Sequence, residues 1–119
     1  MSLDAFRDRL SASREKWVSV GEGREMLFRR PAYSVQCDLR DKAAGDESYM
    51  LALLLACAKD WRGVTLDYLL PGEPADTLPF DAEWMQSVLD DKTLRAPIVA
   101  AFVEFWAGAN QAREQTEKN

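Results

Sequence analysis

The sequence predicts an α+β domain that is mainly α, with a small N-terminal β-hairpin packed on a bundle of about four to five helices around a buried central helix over residues 47–62. Three observations carry this. Residues 49–58 run without a charged residue, from Tyr49 to Ala58, and a segment apolar on every face reads as a helix covered on all sides. Two short β-favouring runs, Trp17-Val18-Ser19-Val20 and Glu25-Met26-Leu27-Phe28-Arg29, flank Gly21-Glu22-Gly23-Arg24, whose glycines permit a tight connection. Helical periodicity then returns from residue 81 onward. At 119 residues the chain is one domain, long enough to bury a core without staples.

Along the chain, Leu3, Phe6 and Leu10 recur at helical spacing between charged residues, so residues 3–14 read as an amphipathic helix that Ser2 can cap. Core packing is the ordinary use of such a stripe, and an arm that docks on a partner is the other. The hairpin occupies residues 16–30; two strands alone are marginal in water, so it must pack on helices or pair with a third strand. Residues 31–44 fit two periods. Tyr33, Val35, Cys37 and Leu39 alternate as in a strand, while Ala32, Val35, Leu39 and Ala43 share a helical face behind Pro31; helix is chosen.

For the central helix, Asp46 is the expected cap, Lys59 and Arg62 suit its C-terminal end, and Gly63 is expected to stop it in the left-handed conformation. Residues 64–79 hold three of the five prolines and read as a loop, unusually apolar through Leu66, Tyr68, Leu69 and Leu70. Asp81 caps the next helix, over residues 81–91, with Phe80 placed to staple onto Met85 and with Met85, Val88 and Leu89 facing inward. The last helix spans residues 94–108, with Pro97 near its first turn and a broad stripe of Ile98, Phe102, Phe105 and Trp106. Residues 109–119 turn polar and are expected to fray.

Charge and composition exclude more than they assign. Residues 1–63 hold 11 Lys/Arg against 10 Asp/Glu, whereas residues 64–119 hold 4 against 10, and no Lys or Arg lies between Val64 and Asp91. This is no surface for nucleic acid. The ten-residue apolar run is too short for a bilayer, which needs about 20, so no membrane contact is expected. With no histidine, the commonest general base and metal ligand are missing, and the serines have no partner to activate them. Cys37 and Cys57 cannot form a disulfide framework, and Cys57 sits among leucines as a small apolar residue. The expectation is a non-enzymatic cytoplasmic protein with no cofactor.

Asp60-Trp61-Arg62-Gly63-Val64, then Gly72-Glu73-Pro74, then Pro79-Phe80-Asp81-Ala82-Glu83, with Ile98, Ala101 and Phe102 beyond, follow one another in an order that resembles the tail assembly chaperones of long-tailed phages and prophages. Met26-Leu27-Phe28-Arg29-Arg30-Pro31 likewise resembles that family's strand leading into a helix, which supports helix over residues 31–44. The resemblance implies a protein of the bacterial host cytoplasm that binds the tape-measure or tail-tube protein during tail assembly, and a homo-oligomer is compatible with it. A tail-completion or connector protein retained in the particle is the alternative. Asp60, Trp61, Gly63, Pro79, Phe80 and Asp81 are then mostly structural. Tyr68, Leu69, Leu70, Trp84 and Trp106 are the candidates for partner contact, each with a core role as its alternative.

Overall fold

The computed structural model describes the backbone of residues 1–118 and the side chains of residues 1–108 apart from Ser11. Its order is α1 (Leu3–Ala12), β1 (Glu15–Gly21), β2 (Arg24–Arg29), α2 (Tyr33–Lys42), α3 (Asp46–Cys57), β3 (Ala58–Arg62), α4 (Leu66–Leu69), α5 (Ala82–Leu89) and α6 (Lys92–Lys118). The α+β, mainly α class holds: 71 of the 118 residues with described backbone are helical against 18 in strands, and the strands form one antiparallel sheet.

The hairpin forms as its alternation dictates, with Val18 opposite Met26 and Trp17 opposite Leu27, and it does recruit a third strand. That strand lies inside the expected central helix. The α-helix ends at Cys57, and residues 58–62 extend to pair with β2, Met26 opposite Trp61 and Phe28 opposite Ala58. The reason is the open edge of β2, whose unpaired backbone groups are better satisfied by a strand than by another helical turn whose last carbonyls would need partners of their own. Lys59 and Arg62 are therefore strand residues. Gly63 does adopt the left-handed conformation, at φ +76°, but it ends β3 rather than a helix.

The inner face of the sheet supplies Val20, Met26, Phe28 and Trp61 to the core, and α3, α5 and α6 supply Leu54, Cys57, Met85, Val88, Ile98, Phe102 and Phe105. Phe28, fully buried, meets Phe102 edge-on at 5.6 Å and Phe105 at 5.5 Å between ring centroids, which ties β2 to α6. The core thus centres on the sheet–helix interface rather than on α3. Only Leu53, Leu54 and Cys57 of α3 are buried; Tyr49, Met50 and Leu55 pack at the margin of the core, and Leu51 is half-exposed. A small domain lacks the mass to enclose one helix on every side.

Several ends differ from expectation. Gly45, not Asp46, is the N-cap of α3, without a side-chain bond, and Glu47 instead bonds Arg95 at 3.1 Å to join the starts of α3 and α6. Ser2 does cap α1, its Oγ accepting from the Ala5 N–H at 3.1 Å; that helix ends at Ala12, and its stripe is not in the core. Asp91 accepts from the N–H groups of Thr93 and Leu94, so α6 begins two residues early and Pro97 lies inside it. The helix also continues through the expected frayed tail to Lys118, because Ala109, Gln111, Ala112, Arg113 and Glu114 are good helix formers; Asn119 lies outside the described residues.

Candidate functional site

The segment after β3 is ordered by the residues at its two ends. Trp61 Nε1–H donates to the Leu78 carbonyl at 2.9 Å, and Phe80 meets the indole edge-on, at 5.3 Å and 86°. Phe80 thus packs on Trp61 and against the core cluster that contains Met85. Asp60 Oδ1 accepts from the Trp61 N–H, and Asp81 Oδ1 accepts from the N–H groups of Glu83 and Trp84 as the N-cap of α5. Between these anchors, the Leu66 N–H donates to the Asp76 carbonyl at 2.9 Å and the Leu78 N–H to the Val64 carbonyl at 3.0 Å. The expected loop over 64–79 is thus a closed excursion carrying the short helix α4, and Asp60, Trp61, Gly63, Phe80 and Asp81 form its frame.

This frame shapes an open groove of about 500 Å³ between α4, α5 and the start of α6. Leu66, Leu69, Val88 and Leu94 form its floor; Leu70 and Trp84, 56% and 46% exposed, stand at its walls. Glu83 and Asp91 lie on its border, and no cationic side chain among the described residues lines it. A second groove, of about 330 Å³, runs between α3 and α6 along Tyr49, Met50, Phe102, Val103 and Trp106. Its flanks are basic, with the Arg40 guanidinium 4.3 Å from the Tyr49 ring centroid and that of Arg30 4.7 Å from Trp106.

The five candidate contact residues therefore divide. Leu69, Leu70 and Trp84 meet in the acidic-rimmed groove, Trp106 lines the basic-flanked one, and Tyr68 belongs to neither. Its half-buried ring is covered by the Arg24 guanidinium at 3.4 Å and borders a narrow pocket with Val20, Met26 and Trp61, so it makes contacts within the fold. Leu69 lines the groove but also packs on the core. Leu66, Leu94 and the rim acid Glu83 are groove residues outside the five candidates. The missing Lys and Arg between Val64 and Asp91 was the available signal, since it marks the whole of this wall as acidic.

Neither cysteine lines either groove. Cys57 has no exposed surface, and burial pushes its thiol up to about 12 despite the nearby charges of Lys59 and Arg30. A neutral buried thiol is a poor nucleophile. Alkylation of the folded protein is expected to modify Cys37 first and Cys57 at least ~10³-fold more slowly, at the rate of global opening. Because the folded thiol titrates above the unfolded one, stability is unaffected by this group below the ordinary thiol range and falls as the pH rises from there toward 12; denaturant midpoints across that range, compared with Cys57→Ala, check the sign. No group of three or more Cys, Asp or Glu side chains among the described residues is placed to hold a metal ion, and no helix among them is long and apolar enough to cross a membrane. Compared with protein-family models, with curated proteins and with solved structures, the chain matches none.

Proposed function

We propose that this chain is a non-enzymatic tail assembly chaperone of a long-tailed phage or prophage, which holds a segment of the tape-measure or tail-tube protein in the host cytoplasm until the tail forms. The observation that carries this reading is the acidic-rimmed apolar groove built by α4, α5 and α6. An exposed Leu and Trp beside an apolar floor can bury a client's side chains, each contributing about 1.5–3 kcal/mol. Association and ordering costs offset much of that gain, so binding stays reversible, as a transient holder requires. Glu83 and Asp91 favour a client segment whose apolar residues are flanked by Lys or Arg. Two of the segments that resemble the chaperone family, around Trp61 and around Phe80-Asp81, meet in space as the frame of this groove, which supports the resemblance by giving those residues one shared task.

The test is co-expression with tape-measure and tail-tube proteins from one prophage, followed by pull-down and measurement of the client's soluble fraction. Capture with a rise in solubility is the expected result. Leu70→Asp is expected to lower capture at least about tenfold while changing stability by no more than about 0.5 kcal/mol, since Leu70 projects into solvent. Leu69→Asp places a carboxylate against the core and is expected to cost about 2–3 kcal/mol, so it does not separate binding from folding. The second groove, with its opposite flanking charge, favours as the other reading a connector that bridges two subunits and remains in the particle. Mass spectrometry of purified particles separates the two: a chaperone is absent, a connector present in stoichiometric amount.

A further inference from the structure

We infer that helix α1 of a second copy of this chain seats in the groove between α4, α5 and α6, in a reciprocal two-fold exchange. The inference rests on the groove being a contact site, as proposed above, and names an occupant for it when no client is bound. Two of the apolar faces left uncovered in the single chain complement each other. One is the groove. The other is the stripe of α1, where Leu3, Phe6 and Leu10 are 61%, 52% and 38% exposed, and every other described side chain of that helix except Ala5 is exposed as well. A ten-residue helix is shorter than the roughly 12–15 residues that make an isolated helix even marginal in water, so α1 needs an apolar partner to persist.

Charge identifies that partner. At about 100° per residue, Leu3, Phe6 and Leu10 fall within an arc of about 60°. Arg7 and Arg9 flank this arc, about 70° and 90° to either side of its centre, whereas Asp4 and Asp8 lie on the far face. An apolar stripe between two arginines matches an apolar floor between Glu83 and Asp91, and it does not match the second groove, which Arg30 and Arg40 flank.

Geometry assigns the arm to another copy. The base of α1 is held at the strand end of the hairpin, where the Arg30 N–H donates to the Arg14 carbonyl at 3.2 Å, and Ser13 and Arg14 border a cleft with Phe105 and Gly108 of α6. The groove lies toward the other end of the sheet, where Gly63 packs on the hairpin turn, and it meets α6 at Leu94. Leu94 and Phe105 are eleven residues apart on one helix, about 16 Å, while α1 is about 15 Å long. An arm anchored there cannot lay Leu3, Phe6 and Leu10 together into its own groove. A reciprocal exchange makes the contact twice and closes at two copies.

Sedimentation analysis of the full chain tests this. The expected species is a dimer of about 27 kDa, twice the 13.5 kDa chain. Phe6→Asp in the arm and Leu70→Asp in the groove, both at exposed positions, are each expected to raise the dimer dissociation constant by roughly ten- to a hundredfold. Mixing the two variants restores one intact arm–groove contact and is expected to recover association. Arg7→Glu with Arg9→Glu is expected to weaken the dimer, and Glu83→Lys to restore it in part. A wild-type chain that stays monomeric at high micromolar concentration, or a dimer that Phe6→Asp or Leu70→Asp leaves intact, overturns the exchange. A monomer that still captures the tape-measure or tail-tube protein overturns the exchange alone; a dimer with the expected sensitivities that captures neither sustains the exchange and removes the chaperone reading.

Discussion

Gly63→Ala is expected to destabilise the protein by about 3–5 kcal/mol, a large part of the roughly 5–15 kcal/mol that holds a domain of this size. Gly63 sits at φ +76°, where an L side chain costs of the order of 1 kcal/mol by itself. The larger cost is contact. A Cβ at this position lies 2.6 Å from the Gly23 carbonyl oxygen and 3.2 Å from the Arg24 Cα, all of it backbone, so no rotamer change relieves it. Relief requires β3 to part from the hairpin turn, which breaks the pairing of Arg62 with Glu25 and shifts Trp61 in the core. Gly23→Ala is the matched control: φ is +79° and nothing lies within 4 Å, so only the conformational cost remains, about 1 kcal/mol. Urea midpoints at unchanged slope measure both. Equal losses in the two variants would show that the close approach contributes nothing.

That same junction marks where local sequence stopped being informative. Asp81 and its helix were readable because a cap and its apolar face lie within nine residues, and the hairpin because two alternating runs flank a glycine turn. The boundary between α3 and β3 has no such punctuation. Ala58 switches to an extended backbone while its N–H still bonds the Leu54 carbonyl, and no Gly, Pro or Asn announces the change. What decides it is the edge of β2, some thirty residues upstream, a non-local cause that outweighs the helical preference of the apolar run. The site was legible in the same proportion. Leu70 and Trp84 are exposed and Leu69 half-buried as their apolar loop and helix start imply, whereas the half-buried Tyr68 ring is covered by Arg24, 44 residues away, and no local pattern records that pair. In α1 the periodicity correctly marks the apolar face but cannot say whether anything in the same chain covers it.

Trp61 links the fold to the groove, and its substitution is the second large expected effect. Trp61→Ala removes a buried indole, its edge-on contact with Phe80 and the donor to Leu78, for an expected loss of about 3–5 kcal/mol. Trp61→Phe is the more informative change. It keeps an aromatic ring against the core and leaves the partly buried Leu78 carbonyl without its donor, at a cost of about 1–3 kcal/mol. The cost falls on the frame of the 64–80 segment rather than on the sheet. Hydrogen exchange is therefore expected to accelerate at the amides of Leu66 and Leu78, which bond Asp76 and Val64 across the base of the excursion, more than at Met26 within the sheet. As that base loosens, Leu70 and Trp84 lose their fixed separation across the groove, and client capture is expected to fall about tenfold although neither residue has changed. Unaltered exchange at Leu66 and Leu78 would mean that the indole–carbonyl bond does not hold the segment and that Phe80 and the Asp81 cap suffice. Faster exchange with undiminished capture would instead separate the order of the excursion from binding and place client contact elsewhere on the surface.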